Sequence, residues 1–170
     1  KGFGAGMDRL ILLRHGEAEA GSETGGDFGR RLTARGREAS AAVASALVDV
    51  GLIPDLALVS AAVRTRETWA AMSGLLPGCE VRFEDRLYLA EESEMQRIVR
   101  EAGGPGVVLL IGHNPGLQEY AETLMAGAAG PASTLTRIRA GFPTSAAVAF
   151  AFDAQGRPAF DGFFQPDPLG

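Results

Sequence analysis

The 170-residue sequence has very few lysines, cysteines and histidines. Lys1 is the only lysine, which excludes a phosphate-binding P-loop and enzymes that form a lysine Schiff base. Cys79 is the only cysteine, which excludes a disulfide framework and a cysteine zinc site. Two histidines, His15 and His113, are too few for most zinc hydrolases and two-metal phosphatases. We therefore expect a protein that works without a metal ion or another cofactor.

The charge balance and the length of the apolar runs exclude two further classes of protein. The formal net charge is −5 at pH 7, so the chain lacks the basic surface that a nucleic-acid backbone requires. The longest apolar runs, such as Val107–Ile111, are far too short to cross a membrane, and Leu10–Leu13 is too short for a signal peptide. We expect a cytoplasmic protein that binds neither nucleic acid nor membranes.

The hydrophobic content indicates the domain organisation. Hydrophobic residues make up 46% of the chain, which suits one core of ordinary domain size. Residues 1–6 precede Met7 and are interpreted as a vector remnant. We predict one domain over residues 7–160 and a C-terminal tail over residues 161–170.

Short apolar runs alternate with helical patterns along the chain. Strands are predicted at Leu10–Leu13, Leu56–Val59, Val81–Phe83, Val107–Ile111, Thr134–Arg139 and Ala146–Phe152. Helices are predicted from the N-cap Thr33 to Gly51, over Ala62–Leu75 and Ser93–Ala102, and after Pro115. Strands separated by helices form parallel sheets covered on both faces, so we predict a single-domain three-layer α/β/α sandwich with a mostly parallel sheet.

In such sheets ligands bind beyond the carboxyl ends of the strands. Both histidines fall there, His15 after the first strand and His113 after the Val107–Ile111 strand. A neutral imidazole is a competent nucleophile toward phosphorus, and the planar guanidinium of the adjacent Arg14 matches phosphoryl oxygens. Nearby cations should also lower the pKa of His15 and keep the nucleophilic form available.

A second group of residues favours an anion site at the same edge. Ser60 follows a strand and is positioned to cap the next helix, whose N-terminal amides favour an anion, with Arg64 one turn further on. Each motif alone also fits a plain alternative: a solvated arginine, a charged helix face or a structural histidine. The convergence of His15, Arg14, Arg64 and His113 on neighbouring strand ends favours phosphate chemistry.

These residues resemble a known family. Leu13-Arg14-His15-Gly16-Glu17, Ser60 with Arg64-Thr65 and Thr68, and Gly112-His113-Asn114-Pro115 together resemble the histidine phosphatase superfamily, in particular the small SixA-type phosphohistidine phosphatases. The resemblance runs from about Met7 to Phe152 and implies a phosphoglycerate mutase-like fold. It also implies that His15 is the nucleophile, that Arg14 and Arg64 bind the phosphoryl group, and that His113 stabilises charge on it.

Two further site residues come from weaker parts of the resemblance. The stretch Gly29–Thr33 resembles the family's Arg-Pro-Leu-Thr segment, which makes Arg30 a third phosphate-facing arginine, although Arg31 stands where proline is usual. Glu91 is a candidate substrate-side acid that protonates the leaving group, the alternative being a charge at the start of a helix. The neighbouring match of Asp27-Phe28-Gly29 to a kinase metal motif is interpreted as a coincidence in a loop.

The function predicted from these residues is a metal-independent phosphatase that acts through a phosphohistidine intermediate on His15. The preferred substrate is phosphohistidine on a protein, because a short chain without a cap segment leaves an open site. A phosphatase of the same superfamily acting on a small phosphorylated metabolite stays an alternative. So does a non-catalytic module that binds a phosphorylated ligand.

Overall fold

The strands of the chain assemble into one mixed sheet. The computed structural model describes residues 7–104 and 106–166, and its strands are β1 Arg9–Arg14, β2 Leu56–Ser60, β3 Glu80–Glu84, β4 Val107–Gly112, β5 Ala147–Phe152 and β6 Pro158–Phe164. The strand order is β3-β2-β4-β1-β5-β6. The first four strands in that order run parallel, whereas β5 and β6 are antiparallel to their neighbours.

Helices cover both faces of this sheet. They are α1 Ala34–Asp49, α2 Val63–Ser73, α3 Glu92–Ala102, α4 Gly116–Gly127 and α5 Ala132–Ala140. Successive side chains of a strand point to opposite faces. Ile11 of β1 therefore packs with the α1 and α2 side chains, and Leu12 packs with those of α3, α4 and α5. This arrangement confirms the predicted three-layer α/β/α sandwich with a mostly parallel sheet.

The first helix begins at the residue that the sequence predicts. The Oγ1 atom of Thr33 accepts a hydrogen bond from the backbone N–H of Gly36 at 3.0 Å, as an N-cap does. Val43 and Leu47 then face the sheet and are buried. This helix fixes the loop after β1, because the N–H of Thr33 donates to the carbonyl oxygen of Glu17 at 2.9 Å.

The predicted strand at Thr134–Arg139 is wrong, because these residues lie within α5. Leu135 and Ile138 are three residues apart, a spacing that places both on one face of a helix. That face packs against the core beside α4, and Ile138 is fully buried. The rest of the segment is polar, so packing against a neighbouring helix determines its conformation.

The predicted boundary at residue 161 is also corrected, because it cuts through β6. Residues 161–164 belong to this strand, which pairs with β5 as a hairpin. Phe163 and Phe164 pack against the two faces of the core, which ties this part of the chain to the domain.

Residues 1–6, interpreted as a vector remnant, and 167–170 of the predicted tail lie outside the described residues. Within the described part of the chain, no helix is long and apolar enough to span a membrane.

Candidate active site

Three neighbouring parallel strands bring the predicted site residues together. In the sheet β4 lies between β2 and β1, and Arg14 at the end of β1 pairs with Gly112 at the end of β4. The residues that follow these two positions are His15 and His113, whose ring centroids are 5.4 Å apart. Both histidines are buried, with 7% and 2% of their surface exposed.

Backbone and side-chain contacts fix the His15 ring in one orientation. The Nδ1 atom lies 2.7 Å from the carbonyl oxygen of Gly16, which can only accept, so Nδ1 carries the proton. The opposite nitrogen, Nε2, therefore holds the lone pair and accepts from Nε of Arg64 at 3.3 Å. The ring presents an unprotonated nitrogen to the arginine, which is the form that a nucleophile requires.

Gly16 allows the close approach that this geometry needs. A Cβ atom at this position would lie 2.7 Å from the carbonyl oxygen of Gly36 in α1, so no larger residue fits without movement. The N–H of Gly16 donates to Oγ1 of Thr68 at 2.9 Å. The loop after β1 is thus held between α1 and α2.

Burial and positive charge keep His15 neutral. Burial, and to a smaller extent the cations of Arg14, Arg64 and Arg30, lower the pKa of His15 to about 4 against the opposing effect of the Gly16 carbonyl. His15 is therefore neutral at pH 7, with its single ring proton on Nδ1 and a lone pair on Nε2.

Arg64 lies at the centre of the site and binds a carboxylate that sequence analysis had assigned no role. Its side chain is 4% exposed, and its two terminal nitrogens donate to the backbone oxygen of Asp27 at 2.8 Å and to the Asp27 carboxylate at 3.1 Å. Arg30 donates to the other carboxylate oxygen, Oδ1, at 2.9 Å, and the hydroxyl of Tyr88 donates to Oδ2, the oxygen that Arg64 contacts, at 2.6 Å. Asp27 therefore occupies donors that would also fit a phosphoryl group.

These contacts keep Asp27 ionised. Hydrogen bonds from Tyr88 and Arg30, with a further one from Arg64, hold the pKa of the Asp27 carboxyl far below its usual range. The carboxylate is still 45% exposed, so it lies at the mouth of the site. The one signal in the sequence was its position three residues before Arg30, in a loop that follows the His15 strand.

Arg14 is the residue directly before His15. One of its terminal nitrogens donates to the carbonyl oxygen of Phe142 at 3.2 Å, while its Nε is buried and has no hydrogen-bond partner among the described residues. Burial and the nearby Arg64 lower the pKa of this guanidinium. An anion between these two arginines would relieve their mutual repulsion.

His113 contacts Ser60 rather than solvent. Its Nε2 atom lies 2.7 Å from Oγ of Ser60, and its Nδ1 atom is buried without a hydrogen-bond partner in the part of the chain that the structure describes. Burial lowers the pKa of His113 to about 3, helped by the neighbouring His15 and Arg64.

The predicted capping role of Ser60 is wrong, since the N-cap of α2 is Ala62 and the Ser60 hydroxyl turns toward the imidazole instead.

Glu91 occupies a different position from the other predicted residues. It is exposed at the N-cap of α3 and its side chain makes no capping hydrogen bond. No side-chain contact found around His15 within residues 7–104 and 106–166 involves this carboxylate. Its role as an acid stays a prediction.

The groups at the site that could bind an ion are imidazoles, guanidinium groups and one ionised carboxylate. Among the described residues, no three histidine, cysteine, aspartate or glutamate side chains are grouped so as to hold a metal ion. The predicted independence from metal ions stays a prediction. The cations of this site suit an anion such as a phosphoryl group.

Comparison with known proteins places this arrangement in a family. The model of the histidine phosphatase superfamily (branch 1) matches residues 10–103, a range that includes His15 and Arg64 and ends before His113. The chain belongs to the histidine phosphatase superfamily, as the sequence motifs indicate. It is a phosphatase with the phosphoglycerate mutase-like fold.

Individual relatives extend the match over nearly the whole chain. The crystal structure of SixA from Agrobacterium tumefaciens, a proposed phosphohistidine phosphatase, is 27% identical with a TM-score of 0.82 and covers 94% of this chain and 98% of that one. A mycobacterial glucosyl-3-phosphoglycerate phosphatase, 18% identical, shares the fold with a TM-score of 0.63 over 91% and 96% of the two chains. An uncharacterized chloroplastic protein of Arabidopsis thaliana is 29% identical over 94% of this chain and 78% of its own length. The cytoplasmic location stays a prediction.

Proposed function

We propose that this phosphatase acts through a covalent intermediate on His15. The lone pair of Nε2 attacks the phosphorus of the substrate, the bond from phosphorus to the leaving group breaks, and phosphohistidine forms. Water then attacks the same phosphorus, releasing inorganic phosphate and free His15. The observation that supports the nucleophilic role is the pair of hydrogen bonds made by His15. They favour the tautomer with the proton on Nδ1 and a lone pair on Nε2, beside Arg64.

The surrounding cations have a matching role. In phosphoryl transfer, negative charge spreads over three equatorial oxygens, so preorganised positive groups lower the barrier. We assign this role to Arg14, Arg64 and Arg30, with His113 as a further hydrogen-bond donor. The Asp27 carboxylate accepts hydrogen bonds from Arg64 and Arg30, so a phosphoryl group that binds these two arginines must displace the carboxylate.

The preferred substrate is phosphohistidine on a protein, and one observation carries this choice. The carboxylate that touches the arginines, Asp27, is held ionised and so carries no proton to give. An alkoxide leaving group needs protonation by an acid, whereas an imidazole protonated on its other ring nitrogen leaves as a neutral molecule. The site thus suits an N–P bond better than an O–P bond.

Asp27 also supports a second candidate function, the hydrolysis of a small phosphate ester. The Asp27 pKa is held low by hydrogen bonds from Tyr88 first and then from the two arginines; a phosphoryl group that displaces Asp27 from the arginines would remove those two and place a dianion beside the carboxylate. The carboxyl group would then pick up a proton and act as the acid. In this alternative Asp27 is indispensable, whereas phosphohistidine hydrolysis does not need its proton.

A substrate comparison separates the two candidates. We expect kcat/KM for a phosphohistidine-bearing protein domain to exceed that for sugar and glycerol phosphates by at least about a hundredfold in the presence of a chelator. The reason is that an alkyl ester needs an acid to protonate its leaving group, and ionised Asp27 has no proton to give. p-Nitrophenyl phosphate is unsuitable as a probe, since its leaving group is already activated.

The control is Asp27→Asn, which keeps the size of the side chain. We expect this variant to retain phosphohistidine hydrolysis within about tenfold, because the step needs no proton from Asp27. Equal or faster cleavage of the alkyl esters, together with its loss in Asp27→Asn, would instead establish the small-molecule function. Activity that disappears with chelator and returns with Zn²⁺ or Mg²⁺ would contradict a metal-free reaction.

A further inference from the structure

Ser60 is a buried residue that contacts the site but not the reacting atoms. It is the last residue of β2, is 0% exposed, and its Oγ atom lies 2.7 Å from Nε2 of His113. The other hydrogen bond to this oxygen comes from the backbone N–H of Ala62 at 3.5 Å. Ser60 therefore connects the start of α2 with the imidazole that follows β4.

The other hydrogen bond of the Ser60 hydroxyl indicates whether Ser60 or His113 is the donor in the contact between them. A hydroxyl has one proton to give and lone pairs that accept, and the Ala62 N–H already supplies a donor to Oγ. If Ser60 also accepted from Nε2, its own proton would lie buried without an acceptor among the contacts of the described residues. If Ser60 donates to Nε2 instead, every group around the hydroxyl is satisfied.

This direction fixes the proton of the neutral imidazole on Nδ1. Burial lowers the pKa of His113 to about 3, so the ring carries a single proton at neutral pH. With Nε2 accepting, that proton is on Nδ1, which is buried and lacks a partner within residues 7–104 and 106–166. Nε of Arg14, at the end of the neighbouring strand, is a second buried donor without a partner in the same residues. Unpaired buried donors are costly, and phosphoryl oxygens are acceptors.

We propose that Ser60 is a positioning residue that donates to Nε2 of His113 and so selects the tautomer whose Nδ1–H binds the phosphoryl oxygens. The proposal rests on the proposed function, because it assigns a phosphoryl group to the unpaired donor. Without the serine hydroxyl, the ring would no longer be held in this tautomer, and its Nδ1–H donation to the transition state would weaken. Ser60 itself contacts neither substrate nor nucleophile.

The kinetic test compares Ser60→Ala with Ser60→Thr. We expect Ser60→Ala to lower kcat about tenfold and to leave KM within about twofold, since the Nδ1–H donor is preorganised for the equatorial oxygens of the transition state rather than for the ground state. Inorganic vanadate, which mimics that state, should bind about tenfold more weakly, while inorganic phosphate should bind within about twofold of its original affinity. Ser60→Thr keeps a hydroxyl and should restore kcat to within about threefold.

Two further measurements separate positioning from a general structural effect. In a His113→Ala background, Ser60→Ala should change kcat by less than about twofold, because the residue through which it acts is gone. Nitrogen-15 NMR of the imidazoles reports the tautomer directly, and His113→Ala assigns the signals because the chain has only two histidines. We expect protonated Nδ1 in the original protein and loss of that preference in Ser60→Ala.

The NMR result does not depend on turnover, so it distinguishes this inference from the proposed function. A proton on Nε2 of His113 in the original protein would overturn the role of Ser60 even if the phosphatase mechanism holds. An equal loss of phosphate and vanadate binding in Ser60→Ala, without rescue by Ser60→Thr, would also overturn it. Protonated Nδ1 in a protein that hydrolyses none of the substrates would uphold the tautomer and refute the proposed function.

Discussion

His15→Ala is expected to lower kcat to less than about a thousandth of its original value, because the proposed reaction has no other nucleophile. The fold should survive, since His15 follows the end of β1 and its side chain makes two polar contacts, to Gly16 and Arg64. Steady-state kinetics and thermal unfolding of the same preparations provide the measurement.

A second variant guards against a failure to fold. His15→Asn retains a polar side chain near the Gly16 carbonyl but has no nucleophilic nitrogen. Both variants should be inactive with melting temperatures close to that of the original protein. Activity of either variant above about a thousandth of the original would count against covalent catalysis at His15.

Arg64→Lys is expected to lower kcat/KM about a hundredfold, which corresponds to a loss of about 3 kcal/mol of transition-state stabilisation. The lysine keeps the charge but not the planar fork, and the structure shows that all three nitrogens of the guanidinium make directed contacts. Measuring kcat/KM for the preferred substrate gives the effect.

Arg66→Lys is the matched control two residues along the same helix. Arg66 is exposed, donates to the carbonyl oxygen of Ala61 at 2.8 Å and stacks over the ring of Phe83 at 4.2 Å. An exposed charge contributes at most about 1 kcal/mol, and this replacement preserves the charge, so kcat/KM should stay near its original value. Similar small effects at both positions would refute the phosphate-binding role of Arg64.

The parallel part of the fold was predictable because its strands are unbroken apolar runs. Buried parallel strands such as Leu56–Ser60 carry hydrophobic side chains on both faces, and the strand-end rule then located His15 and His113. The segment around Ile138 was assigned to the wrong element because two apolar residues among the six of Thr134–Arg139 do not distinguish a strand from a helix. The contact of this segment with α4 determines that it folds as a helix.

The parts of the site that sequence analysis missed depend on contacts between distant segments. Asp27 and Tyr88 are 61 residues apart, yet they meet at 2.6 Å over Arg64. Ser60 was expected to satisfy the local N–H groups of a helix, but a buried imidazole 53 residues away competes for its hydroxyl. Local propensity favours the cap, and only the folded sheet brings β2 next to β4.

The central claim, that His15 is phosphorylated during turnover, is tested most directly by trapping the intermediate. Phosphohistidine-bearing substrate labelled with ³²P is mixed with the enzyme and quenched in alkali within one turnover, because an N–P bond survives alkali and is lost in acid. We predict alkali-stable, acid-labile label on the enzyme peptide that contains His15, and no label on the enzyme in His15→Ala. Turnover without labelled enzyme, or label on the peptide that contains His113, would contradict the account.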